Sequence, residues 1–147
     1  MLKIRKRLSD IRWATFVAKS YIGTPYIWGG DDPIAGVDCS GLVINILQSV
    51  GRLPYRGDWT AEQLSKMFVE ASTPNHGVLA FFGSIAKITH VGFCLDKYKM
   101  IEAGGGGRDN ISKEAAIAKN AYVRVRPIDA RTDLVKLSDP FDKNGYR

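Results

Sequence analysis

The sequence predicts an α+β domain, helices first and then a mainly antiparallel sheet. Three observations predict it. Apolar residues recur at helical spacing through the first third of the chain. From residue 78 to residue 127 the pattern changes to short runs rich in apolar and aromatic residues, bounded by turn signals. The 147 residues, 45% hydrophobic and 24% charged, have the length and composition of one self-supporting core.

Over residues 9–22, Ile11, Ala14, Phe16, Val17, Ala18 and Tyr21 fill one stripe of an amphipathic helix; Ser9 or Asp10 caps its start and Gly23-Thr24-Pro25 stops it. Residues 26–37, rich in Gly, Asp and Pro, read as a loop. Within it Trp28 stands beside Gly29 and Gly30, and packing is its expected role. Asp38 then caps a buried helix carrying Leu42, Val43, Ile44, Ile46, Leu47 and Val50 and closed by Gly51. Thr60 with Gln63 marks a third helix over residues 60–71, with Leu64, Met67 and Phe68 inward. Residues 78–83, 90–95 and 99–103 read as strands, the last two joined in a hairpin turning near Lys97. A four-glycine loop, 104–107, and a short helical stretch, 114–119, precede a half-exposed strand over 121–127. The domain core is expected over about residues 9–128, with the remainder to 147 a peripheral tail.

The net charge is +6, from 21 Lys and Arg against 15 Asp and Glu. Such a surface favours polyanions in general, but no nucleic-acid-binding motif is present, and Arg124 and Arg126 alone do not make one. No apolar run is long enough to span a bilayer. Met1 to Arg7 resembles the charged start of an export signal, but Asp10, Arg12 and Lys19 interrupt the stretch after it, so no signal peptide is visible. Two Cys and two His are scattered at no metal-ligand spacing, and no cofactor is implied. Nothing in the sequence sets an oligomeric state.

The two cysteines have unlike surroundings. Cys94, in Val91-Gly92-Phe93-Cys94-Leu95, reads as a buried strand residue, whereas Cys39, in Asp38-Cys39-Ser40-Gly41, stands at a helix start. There the helix dipole and free backbone N–H groups favour a thiolate and can receive an oxyanion. Of the two histidines, His76 lies in a loop and reads as solvated, while His90 opens a strand, a rigid mount for a general base. Glu102 lies on the partner strand; a turn near Lys97 sets positions summing to about 192 opposite one another, which brings His90 and Glu102 together. Asp109 and Asn110 are weaker candidates to orient the ring.

The blocks Gly23-Thr24-Pro25-Tyr26-Ile27-Trp28-Gly29-Gly30, Asp38-Cys39-Ser40-Gly41-Leu42-Val43, His90-Val91-Gly92 and Met100-Ile101-Glu102-Ala103 together resemble the NlpC-type cell-wall peptidases, compact papain-like cysteine hydrolases. The resemblance runs in order from about residue 18 to residue 127. It implies Cys39 as nucleophile, His90 as base and Glu102 in the third catalytic position, where the family most often has His. It also implies that Tyr26, Asp38 and Ser40 contact substrate, Asp38 within a pocket for the free amine of the stem peptide's first residue. The implied reaction is hydrolysis of peptidoglycan stem peptides, typically at the γ-D-glutamyl bond to a diamino acid. The alternatives are an amidase or acyltransferase using the same thiol, or a non-catalytic phage structural or wall-binding protein. Without a visible export signal, an enzyme of this kind would be made in the cytoplasm and act at the wall, with phage delivery as one route.

Overall fold

A computed structural model describes residues 1–146. It contains four α-helices, α1 (Leu2–Ser20), α2 (Cys39–Ser49), α3 (Ala61–Leu64) and α4 (Lys113–Ala118). The first two strands, β1 (Asp31–Asp32) and β2 (Gly36–Val37), form a small hairpin inside the segment expected to be loop. A six-stranded sheet is built from β3 (Val69–Glu70), β4 (Leu79–Gly83), β5 (Ile88–Cys94), β6 (Lys99–Gly104), β7 (Tyr122–Pro127) and β8 (Leu134–Asp139). Its order is β3-β8-β4-β5-β6-β7 and every neighbouring pair is antiparallel. The expected α+β architecture is thus present.

The sheet is covered on both faces, which explains why β4 reads Leu79-Ala80-Phe81-Phe82 without polar alternation. Leu79, Phe81, Val91, Phe93, Ile101, Ala103 and Val123 join the helices α1 and α2 in the main core. Ala80, Phe82, Cys94, Met100, Ile128 and Leu137 form a second cluster on the opposite face. Helix α2 packs across β5 and β6 with Leu42, Val43, Ile46 and Leu47 fully buried. Removing each such side chain from water stabilises the fold by about 1.5–3 kcal/mol, so the helix that carries Cys39 is fixed by its whole length.

Four expectations are corrected. Helix α1 starts at Leu2 rather than near residue 9, because the Lys, Arg and Leu residues of its first turns are good helix formers and Arg7 is tied down by Asp139, at 3.3 Å, and by the Phe141 carbonyl. Only Ile11, Ala14 and Ala18 of the helix are buried, and Phe16 points outward. The third helix has its Thr60–Gln63 capping box but ends at Leu64, because the chain turns at residues 65–67 and Val69 then pairs with Asp139 in the sheet; Met67 is exposed. The hairpin of β5 and β6 is shifted by two positions: Phe93 faces Ile101 and Cys94 faces Met100.

The C-terminal segment is the largest departure. Expected to be peripheral, it supplies β8, which lies inside the sheet between β3 and β4. Ser138 and Phe141 are fully buried. Arg52 donates from Nε to the Pro140 carbonyl at 2.7 Å, joining this segment to the turn after α2.

Candidate functional site

Cys39 is the first residue of α2. Asp38 caps the helix, accepting from the Gly41 N–H at 2.7 Å and the Ser40 hydroxyl at 3.1 Å through Oδ1. Its Oδ2 accepts from the Gly29 N–H at 3.0 Å, which ties the Trp28-Gly29-Gly30 loop to the helix start. That loop crosses so close to the helix that the Gly30 carbonyl oxygen fills the place where a Cβ on Gly41 would stand. The glycine in Asp38-Cys39-Ser40-Gly41 therefore admits the protein's own backbone.

The Cys39 thiol lies against the start of β5, its Sγ 4.0 Å from the Thr89 carbonyl oxygen, and the next side chain, His90, lines the same cleft. His90 Nε2 is 2.5 Å from Glu102 Oε2. With Nε2 engaged by the carboxylate, Nδ1 is the ring nitrogen left for Cys39. The Phe82 ring packs 5.7 Å from the imidazole, on the strand position directly opposite. His90 and Glu102 are not opposed in the hairpin, as the two-residue shift makes them diagonal neighbours. The shift is even, so both stay on one face of the sheet and within reach.

Glu102 has no accessible surface. Its second oxygen, Oε1, accepts from Arg126 Nη1 at 2.8 Å. Burial alone would raise the carboxyl pKa, but His90 and Arg126 outweigh it and hold the group below its usual range. Burial likewise pushes the His90 imidazole down, while Cys39 and Glu102 push it up more strongly, to about 9. The site thus keeps Glu102 charged and favours a protonated imidazole. Tyr26 lines the same cleft; burial, then Cys39 and Asp38, raise its phenol far above the ordinary value, so it stays an O–H donor. Cys94, the other free cysteine, is fully buried in the second core, its thiol pushed up to about 12 by burial and Asp96.

The cleft has a volume of about 220 Å³ and is walled by Trp28, the glycine loop, Arg126 and Arg131. Gly106 has to be glycine because any side chain there would strike the Tyr26 ring. On the other side of Trp28 a second cavity of about 230 Å³ is lined by Asp31, Asp38, Ser40, Asp58 and Trp59. The structure brings Cys39, His90, Glu102 and Tyr26 into one cleft, and Asp38 and Ser40 into the adjoining cavity.

The two rivals for the third position stand elsewhere. Asp109 is exposed and paired with Lys119 at 2.9 Å. Asn110 is buried; its Nδ2 donates to the Tyr26 carbonyl at 2.5 Å and its backbone carbonyl accepts from Trp28, so it holds the wall of the cleft. His76 is exposed and bonded to the Thr15 hydroxyl at 2.5 Å. Arg126 is the residue that sequence reasoning missed. The alternation of β7 was the available signal, since it sets Arg124 and Arg126 on the face that carries Glu102.

Residues 23–127 match the NlpC/P60 family. The chain belongs to that family. Its relatives include Protein P54 of Enterococcus faecium, 39% identical over 104 residues, which are 68% of this chain and 20% of that protein. The probable peptidoglycan endopeptidase LytE of Bacillus subtilis is 30% identical over 134 residues, 88% of this chain and 34% of that protein. The gamma-DL-glutamyl hydrolase of the same organism is 32% identical over 99 residues, 65% of this chain and 24% of that protein. The NlpC/P60 chain is thus about a fifth to a third of the length of these relatives. Among solved structures, the NlpC/p60 domain of the peptidoglycan hydrolase SagA superposes with a TM-score of 0.64 at 26% identity, covering 88% of this chain and 97% of that one. The α+β fold is accordingly the papain-like fold of this family of cysteine peptidases.

Proposed function

We propose that this chain is a cysteine endopeptidase that acts at the cell wall and cleaves peptidoglycan stem peptides at the γ-D-glutamyl bond to the diamino acid. One observation carries the reading. A helix-start cysteine shares one cleft with a histidine whose Nε2 is held by a buried, charged glutamate. This is the arrangement a thiol nucleophile needs.

Cys39 first gives its proton to His90 Nδ1, and the thiolate Sγ then attacks the scissile carbonyl carbon. The oxyanion so formed is received by the Cys39 backbone N–H at the start of α2 and by the Tyr26 hydroxyl. His90 returns the proton to the leaving amine as the C–N bond breaks, leaving a thioester on Cys39. Water, deprotonated by His90, attacks the thioester; the C–S bond breaks and the new carboxyl group leaves. Glu102 holds the imidazole in one orientation throughout and stabilises its charged form.

The two cavities support a stem peptide as substrate. The acidic cavity beyond Trp28 suits the ammonium group of the stem's first residue, and Asp38 Oδ2, with a single protein donor, has a lone pair free for it. Arg126 and Arg131 line the Cys39 cleft, and the guanidinium nitrogens left over from their pairing with Glu102 and Asp133 suit the free carboxylates that such peptides carry. The relative named gamma-DL-glutamyl hydrolase favours the γ-bond. Mass spectrometry of a peptidoglycan digest tests this: fragments ending in γ-D-glutamate support it, and Cys39-dependent cleavage between glycan and peptide replaces it with an amidase.

A further inference from the structure

Helix α1 has two faces, and the peptidase chemistry uses neither. The inner face, Ile11, Ala14 and Ala18, is buried in the main core. At ~100° per residue, Leu2, Trp13 and Phe16 fall on the opposite side, where they are 83%, 53% and 64% exposed. Trp13 and Phe16 stack on one another, ring centroids 5.3 Å apart, so two aromatic rings form one apolar plate in solvent. On the same turn of the wheel, Arg5, Arg12 and Lys19 flank the plate on one edge and Lys6 on the other. Arg5, Arg12 and Lys19 make no ion pair among the described residues, whereas Lys6 is bonded to Asp10 at 2.7 Å.

The charge is concentrated here as well. Residues 1–20 hold Lys3, Arg5, Lys6, Arg7, Arg12 and Lys19 against Asp10, a net +5 of the chain's +6. The rest of the protein is nearly neutral, so the basic character is a property of this helix. A pair of stacked aromatic rings beside a row of unpaired Arg and Lys suits a helix lying in the interface of an anionic bilayer. The charged row reaches the headgroups while the rings enter the acyl boundary. A soluble polyanion would satisfy the charges but offers nothing to the Trp13–Phe16 plate. No helix among the described residues is long and apolar enough to cross a membrane, so the contact is one of surface docking.

We propose that the outer face of α1 docks the protein on an anionic lipid surface through Leu2, Trp13 and Phe16, flanked by Arg5, Arg12 and Lys19. Docking is independent of the Cys39 chemistry and stands or falls separately from the proposed cleavage.

The test is co-sedimentation of the full chain with vesicles of phosphatidylcholine alone or mixed with phosphatidylglycerol. Binding is expected to the mixed vesicles only, equally in wild type and Cys39→Ala, with loss in about 0.5 M salt. Trp13→Ser with Phe16→Ser, and separately Arg5→Glu with Arg12→Glu and Lys19→Glu, should each weaken binding about tenfold or more. These side chains are exposed, and an unchanged unfolding midpoint in each variant confirms that the fold is intact. The proposal is overturned if the mixed vesicles do not bind the protein or if the variants bind as well as wild type. It is also overturned if the chain self-associates through Trp13 and Phe16 instead, or if an anionic polymer retains it whether or not those rings are present.

Discussion

Glu102 reaches His90 across a hairpin in which the two residues are not opposed, and it does so with one oxygen while Arg126 holds the other. The carboxylate is completely buried, so its charge depends on both partners. The imidazole in turn depends on Glu102 for its orientation. The proposed catalytic chemistry rests on this bridge as much as on the thiol.

Cys39→Ala should abolish cleavage of stem peptides, and Glu102→Gln should lower kcat/KM by about 10- to 100-fold, because the ring keeps a hydrogen-bond partner but loses the charge that stabilises imidazolium. Steady-state kinetics on a defined stem peptide measures both. An equal loss in the two variants would give Glu102 a part in the chemistry beyond orienting the ring.

The site also sets a pH dependence of stability. His90 is raised from 6.5 to about 9, so its contribution is complete below 6.5 and is lost as pH rises through 9. The lost contribution amounts to about 3 kcal/mol. Glu102 is lowered from 4.5, so its contribution is complete above 4.5 and is lost as pH falls below that value. Stability should therefore peak between the two, and the urea midpoint should fall from pH 6.5 to 9. In His90→Asn that alkaline fall should be largely absent; a wild-type midpoint flat across the window contradicts the assignment.

Gly41→Ala should destabilise the fold by about 2–4 kcal/mol, because its methyl group would meet the Gly30 carbonyl, a backbone atom that cannot rotate away. The displacement would also move Trp28 and reduce activity. Differential scanning calorimetry with a parallel activity assay measures the two effects together.

Phe141→Ala should cost about 3–5 kcal/mol, as expected for a fully buried ring. A chain ending at residue 128 should fail to fold cooperatively, since it lacks β8 and leaves β4 with an unpaired edge. Circular dichroism melting of both variants reads this out, and a normal transition in the truncated chain would return the C-terminal segment to the periphery.

The sequence disclosed what local chemistry determines. Asp38 as a cap, the buried stripe of α2 and the Thr60–Gln63 capping box each depend on residues within one turn of each other. The pairing of His90 with Glu102 was legible because strand parity survives a shift of two, although the register itself did not come out right. Arg126 was not, because β7 carries two arginines on one face and only the packed sheet decides which meets Glu102. β8 was hidden because Lys136, Ser138 and Asp139 interrupt its apolar run and its partner β4 is remote in the chain. The inward face of α1 was misread at Phe16 because periodicity gives two apolar stripes. The small Ala14 and Ala18 are the ones that let the helix approach the core.

The role of Cys39 as nucleophile is best tested by intact-protein mass spectrometry after mixing the enzyme with a synthetic L-Ala-γ-D-Glu-diamino acid peptide and quenching in acid. A transient L-Ala-γ-D-Glu acyl adduct on Cys39 is expected, absent in Cys39→Ala, together with release of the diamino acid. Release of the diamino acid at an undiminished rate by Cys39→Ala, with no adduct on the wild-type protein, would contradict that role.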